Sequence, residues 1–293
     1  MIWYFLPDPG IFGGVKVACQ FLDLLGSCGR RAVAVLPGGK APQWFSCRTP
    51  IVSEEEARRR IGADDYLMIT WPPDYARLKD WPGHVVCHCQ GTDPKMDPIL
   101  ADNSVPILTC WKQARRYLED KHARRGTDVG ISISECFYFN GGRKFDNLVA
   151  YMPRRGFDVV RQCMRRNRSL DFCGMDGLHE RDVARRLQAS GVYLATAEGE
   201  QFGLPALEAM AAGCLVLSVP VKGGMEYLDD GENCLVAAAD EMPYKLRWAM
   251  SPARAEWRSR LRGRALATAM GYRPSLQRRR LEESLKGGLS WLA

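Results

Sequence analysis

Residues 197–213 read Ala197-Glu198-Gly199-Glu200-Gln201-Phe202-Gly203-Leu204-Pro205-Ala206-Leu207-Glu208-Ala209-Met210-Ala211-Ala212-Gly213. A strand-like run, Val192 to Ala195, leads into this stretch, and a helix, Pro205 to Ala212, opens inside it. Pro205 suits the first helical turn, where its missing N–H costs nothing. Gly203 lets backbone come close to a ligand. The unpaired N–H groups of a helix start, with the positive end of the helix dipole, suit an anion such as a diphosphate. Glu200 in the loop and Glu208 on the helix flank that point. Carboxylates accept hydrogen bonds from paired hydroxyls. The stretch thus offers phosphate binding between two hydroxyl-binding groups, which is the layout of a nucleotide sugar.

Strands and helices alternate on both sides of it. Before it come strand Leu148 to Met152, helix Asp158 to Arg165, strand Leu170 to Cys173 and helix His179 to Ala189; strand Cys214 to Val219 follows. The first half repeats the rhythm. Ile2 to Leu6 is a buried strand, and Val15 to Leu25 is a helix with Val17, Phe21, Leu24 and Leu25 on one face. Strands follow at Ala32 to Leu36, Asp65 to Thr70, Val85 to Cys89 and Ile107 to Cys110, the last leading into a helix from Trp111 to about Arg124. This pattern predicts parallel β-α-β units. The expected fold class is α/β, two Rossmann-like domains facing each other across a cleft, with chemistry in the loops after the strands. The pattern breaks around Gly141-Gly142, which sets expected domains at 1–145 and 146–270 and a C-terminal helical segment at 271–293 that packs back across the boundary.

A chain of 293 residues with 46% hydrophobic composition supports a core in each half. No apolar run is long enough to cross a bilayer. Met1 to Leu6 lacks a basic flank and a cleavage site, so it reads as a strand rather than a signal peptide, and the expected location is cytoplasmic. The 11 cysteines contain no C-x-x-C pair and read as reduced thiols. His84, Cys87, His88 and Cys89 fall on alternate faces of a strand, which argues against a zinc site; no metal is expected. The net charge is +7, and residues 245–286 alone carry twelve Lys/Arg against three Glu. That basic tail reads first as solvated helix faces. Its second reading is peripheral contact with an anionic membrane, with Trp248, Trp257 and Trp291 at headgroup level. No nucleic-acid-binding motif accompanies it. No G-x-G-x-x-G follows the first strand, which disfavours a nicotinamide dehydrogenase.

The run E-Q-F-G-L-P-A-L-E-A-M-A-A-G, Glu200 to Gly213, resembles the E-x7-E signature of retaining glycosyltransferases of the GT-B fold. Cys214 to Val236 resembles the same family's next strand, its Gly-Gly loop with a following Glu, and its D-G-x-N turn. Gln201 departs from the Gly usual there. The resemblance implies a retaining, metal-independent transfer of sugar from a nucleotide-sugar donor to a glycan, lipid-linked or small-molecule acceptor, in cell-surface glycan or glycolipid synthesis. It places the acceptor on the first domain and the donor on the second. Glu208 would hold the ribose hydroxyls and Glu200 the transferred sugar. Backbone amides of Phe202, Gly203 and Leu204 would meet sugar and diphosphate. Arg154 and Arg155, after the first strand of the second domain, would offset the diphosphate charge, with Lys144 and Lys222 the next candidates. Gly13 and Gly14 would border the donor diphosphate, and His88 would meet the acceptor. A non-catalytic sugar- or partner-binding protein of the same fold is the alternative, against which the two carboxylates count.

Overall fold

Four consecutive side chains, Ile2-Trp3-Tyr4-Phe5, form β1 (Ile2–Phe5), and all four are buried. Such a run marks a central strand of a parallel sheet covered on both faces. The computed structural model describes residues 1–221 and 224–289, so Lys222 and Trp291 lie outside the described residues. The chain divides into two compact units. One is Met1–Ser132 with the C-terminal stretch from Pro274; the other is Ile133–Arg273.

In the first unit β1 is followed by α1 (Gly13–Ser27), β2 (Ala32–Val35), β3 (Ile51–Val52), α2 (Glu54–Arg60), β4 (Tyr66–Ile69) and α3 (Pro72–Leu78). Then come β5 (His84–Cys89), α4 (Asp97–Leu100), β6 (Ile107–Thr109), α5 (Lys112–His122) and β7 (Thr127–Asp128). The strands form one sheet in the order β3-β2-β1-β4-β5-β6-β7, and every pair is parallel. The order reverses direction between β1 and β4. α1 buries Val15, Ala18, Phe21, Leu22 and Leu25, spaced at three and four residues, against the sheet.

The second unit contains β8 (Phe145–Tyr151), α6 (Phe157–Arg166), β9 (Asp171–Gly174), α7 (Glu180–Ala189), β10 (Ser190–Ala195) and α8 (Leu204–Ala211). β11 (Leu215–Ser218), β12 (Leu235–Val236), α9 (Met242–Ala249) and α10 (Ala255–Met270) follow. Its five strands lie in the order β12-β11-β10-β8-β9, again all parallel, and the reversal falls between β8 and β10. Val149, Val160, Val192, Leu217 and Leu246 belong to its core.

The last helix, α11 (Pro274–Lys286), belongs to the first unit. Leu281, Leu285 and Leu289 join the core of Phe21, Leu22 and Leu25. The Gln277 amide donates to Gly130 O at 2.8 Å and its oxygen accepts from Ser132 Oγ at 2.6 Å. This stretch is therefore a structural part of that unit rather than a free tail. Residues 133–145, assigned from the sequence to the first domain, make their bonds within the second unit. Phe139 N donates to Ala211 O, the Gln188 amide donates to the carbonyls of Cys136 and Tyr138, and Tyr138 Oη donates to Ala269 O. No described helix is long and apolar enough to cross a membrane.

Candidate active site

In an open α/β sheet the ligand crevice lies beyond the C-terminal ends of the strands, where the strand order reverses. In the second unit that point lies between β8 and β10. The loop after β8, Met152 to Gly156, and the loop after β10, Thr196 to Gly203, leave adjacent strands side by side. Gly156, the N-cap of α6, has φ +69°, and a Cβ there would sit 2.0 Å from Thr196 O. Only glycine lets these two backbones meet. Thr196 Oγ1 donates to Arg155 O at 3.2 Å and ties the loops a second time.

This contact brings Arg155 to Glu200. Arg155 Nη1 donates to Glu200 Oε1 at 3.0 Å, with side-chain exposures of 60% and 29%. Arg154 turns the other way, its Nε 3.0 Å from Asp176 Oδ1 beyond β9. The two arginines, equivalent in the sequence, thus have different partners, and Arg155 is the one beside the loop carboxylate.

α8 begins at Gly203, whose φ is +80°. A Cβ on Gly203 would lie 2.9 Å from Tyr227 Oη, which donates to Gly203 O at 2.5 Å. Phe202, Tyr227 and Tyr272 pack ring to ring beneath the turn, with centroids 5.3–6.1 Å apart. Phe202 is buried, so its side chain anchors the loop. Asn233, in the D-G-x-N turn, donates to Tyr227 O at 2.8 Å and to Thr268 Oγ1 at 2.9 Å, and accepts from Asp229 N at 2.9 Å. The turn thereby positions Tyr227, which positions Gly203. Motif reading singled out neither Tyr227 nor Tyr272.

Glu208 lies one turn along α8 and is buried, 5% exposed. Tyr193, on β10, has its hydroxyl pushed above the usual phenol range by burial first, then by the charges of Glu208 and Glu200. Lys144 stands at the other end of the sheet. Its ammonium donates to Ser190 O at 2.8 Å and Leu187 O at 3.2 Å, and burial lowers its pKa. It is bound to the start of β10 and cannot serve a site at the strand's end.

In the first unit the order reverses between β1 and β4. Gly13 and Gly14 open α1 there, after the exposed N-cap Phe12; the exposed N-cap of α3 is Trp71. A Cβ on Gly14 would lie 2.9 Å from Gln90 Oε1. The Gln90 amide donates to Tyr4 Oη at 3.0 Å, and Tyr4 Oη lies 2.9 Å from His88 Nδ1. His88 itself is fully buried, its other nitrogen 2.9 Å from Cys110 Sγ, and burial lowers its pKa to about 3. It is a neutral core histidine, out of reach of an acceptor. The side chain that carries this network to the strand edge is Gln90.

Residues 156–251 match the family model described as glycosyl transferases group 1. No curated protein matches the chain in sequence. Among solved structures, sucrose-phosphate synthase from Thermosynechococcus elongatus superposes with a TM-score of 0.74 at 11% identity, over 99% of each chain. Anabaena HepE in complex with UDP-glucose gives 0.70 at 11% identity, over 97% of this chain and 99% of that one. The pneumococcal O-GlcNAc transferase GtfA, in complex with UDP and GlcNAc, gives 0.59 at 14% identity over 79% of this chain, which spans only 58% of GtfA. At these identities the likeness shows the fold: two Rossmann-like, parallel-sheet units of the GT-B type.

Proposed function

We propose that this chain transfers a sugar from a nucleotide-sugar donor to an acceptor, with retention of anomeric configuration, in the synthesis of a surface glycan or glycolipid. The observation that carries the reading is the meeting of Arg155, Glu200 and the start of α8 at the strand-order reversal of the second unit. That stretch lies within the residues matching the glycosyl transferase model. UDP-sugars are the donors to try first, since HepE and GtfA were each solved with UDP or a UDP-sugar.

In this reading Glu208 accepts hydrogen bonds from the ribose hydroxyls and Glu200 from hydroxyls of the transferred sugar. The amides of Phe202, Gly203 and Leu204 and the α8 dipole meet the diphosphate. Arg155 neutralises charge as the diphosphate departs; Arg154, paired with Asp176, is the second candidate for that role. An exposed ion pair such as Arg155–Glu200 stabilises by only about 0–1 kcal/mol. A hydrogen bond to a charged partner is worth about 1.5–3 kcal/mol. The arginine can therefore leave Glu200 for a diphosphate at little cost. Donors placed where charge develops need no metal ion to stabilise the leaving group. On the first unit, Gly13, Gly14 and Gln90 stand at its sheet's own strand-order reversal.

The test is to incubate the protein with UDP-sugars and simple sugar or glycerol acceptors and to follow the anomeric proton of the product by NMR. An axial linkage from an axial donor supports the reading. An inverted product removes retention but leaves transfer standing. Donor binding without any transfer or hydrolysis, across a broad acceptor set, would favour the non-catalytic sugar-binding alternative.

A further inference from the structure

The basic segment at residues 245–286 does not behave as one surface. At least half of its twelve cations are already engaged. Arg262 pairs with Asp146, Arg264 with Glu232, Arg273 with Glu135, and Arg278 with Glu282. The Arg258 guanidinium caps α9 through the carbonyls of Ala249 and Ser251. Lys245 reaches Val236 O and Asp230. Trp257 is half-buried against the core.

One face is different. α9 buries Met242, Leu246 and Ala249 and turns Tyr244, Arg247 and Trp248 outward. Tyr244 is 55% exposed and Trp248 44%. Arg166, at the end of α6, lies over the Tyr244 ring at 4.5 Å, and Arg254 lies over the Trp248 ring at 3.6 Å. Asn167 donates to Pro243 O at 3.2 Å and Arg247 to Arg166 O, so the end of α6 and α9 form one rigid patch. Residues 159–170 and 242–255 contain no Asp or Glu. Arg165 and Arg168 are exposed on the same α6 terminus, and neither has an acidic partner among the described residues. In sequence, Asp158 and Asp171 bound the α6 stretch and Glu241 and Glu256 the α9 stretch; Asp158 pairs with Arg161, Asp171 accepts from the Asn147 amide, and Glu241 accepts from Ala238 N.

We propose that this face, Tyr244 and Trp248 with Arg166, Arg247 and Arg254 beside them and Arg165 and Arg168 exposed at the adjoining end of α6, docks on a bilayer of anionic lipid. Tyr and Trp are the side chains that settle at the headgroup level, their rings in the apolar zone and their polar ends in the wet one. Basic side chains beside them add attraction to anionic headgroups that salt screens. The guanidinium groups of Arg166 and Arg254 lie over the two rings, so charge and aromatic surface stand side by side on this face. Tyr, Trp and Arg are enriched at protein interfaces too; what favours an anionic surface here is the absence of any Asp or Glu from residues 159–170 and 242–255. The proposal does not depend on the sugar-transfer reading.

The full chain is mixed with vesicles of phosphatidylcholine alone and of equal parts phosphatidylcholine and phosphatidylglycerol, at low and at high salt, and sedimented. The protein should pellet only with the anionic vesicles and be released by salt. Arg165→Glu with Arg168→Glu should lower partitioning by about tenfold or more. Tyr244→Ala with Trp248→Ala should lose pelleting at intermediate salt. Both pairs are surface changes, and an unchanged melting temperature shows that the fold persists; truncation of the C-terminal stretch is unsuitable because it strips the first unit's core. No pelleting, equal pelleting on neutral vesicles, or pelleting that neither pair alters would overturn the proposal. So would self-association that both pairs abolish in the absence of any vesicle binding, which would assign the face to a second copy.

Discussion

Glu200 and Glu208 stand eight positions apart, yet one is partly exposed and paired with Arg155 while the other is buried on α8. We expect Glu208→Ala to weaken nucleotide affinity by about 1.5–3 kcal/mol, the worth of hydrogen bonds to a charged acceptor. Calorimetric titration with UDP is the check, and unchanged affinity would remove Glu208 from the donor site. His88 makes a different kind of prediction. The unfolded chain binds a proton at this histidine below about pH 6.5, whereas burial keeps the folded one neutral down to about 3. Between those values the unfolded state holds the extra proton, so stability is full above the upper one and falls as the pH drops. The slope from this group is about 1.4 kcal/mol per pH unit. Urea unfolding from about pH 6 to about pH 4 should show a shallower fall for His88→Gln than for the native chain. Parallel curves would mean that His88 is not held neutral by burial.

At the scale of elements, the site rests on two loops held in backbone contact. Gly156→Ala should disturb both. The left-handed conformation alone costs a non-glycine residue about 1–2 kcal/mol, and the added Cβ would meet Thr196 O at 2.0 Å. Urea unfolding should show a loss beyond about 2 kcal/mol, with weakened UDP binding; a neutral result would mean that the loops are not locked there. The central strands and α8 were legible because apolar runs and a Gly-Leu-Pro helix start survive in any context. α2 was not, since Glu54 to Arg60 has no apolar stripe. Its signal was the cap, Ser53 Oγ accepting from Glu56 N at 3.1 Å, in an S-x-x-E spacing. The His88 assignment failed for a related reason. In a parallel sheet covered on both faces, alternation marks no exposed side, and Val86, Cys87, His88 and Cys89 are all buried. The separate partners of Arg154 and Arg155 could not be read either, because they depend on where the loops beyond β9 and β10 end in space.

On the scale of the whole molecule, the sequence pattern shows two α/β series, and the structure contains two parallel sheets with one strand-order reversal each. The break at Gly141-Gly142 is real as a turn but not as the division between units. Residues from Ile133 onward already hydrogen-bond within the second unit, and α11 completes the first. Long-range bonds of this kind leave no mark on local composition. The central claim is that the Arg155–Glu200 end of the second unit releases a nucleotide from a nucleotide sugar. The measurement that tests it is the amount of free UDP formed from UDP-sugars by the native protein, by Arg155→Ala and by Arg154→Ala. The account predicts release by the native chain, a large loss in Arg155→Ala with nucleoside binding retained, and a smaller loss in Arg154→Ala. Release that is equal in all three, or no release and no binding with any nucleotide sugar tried, would contradict it.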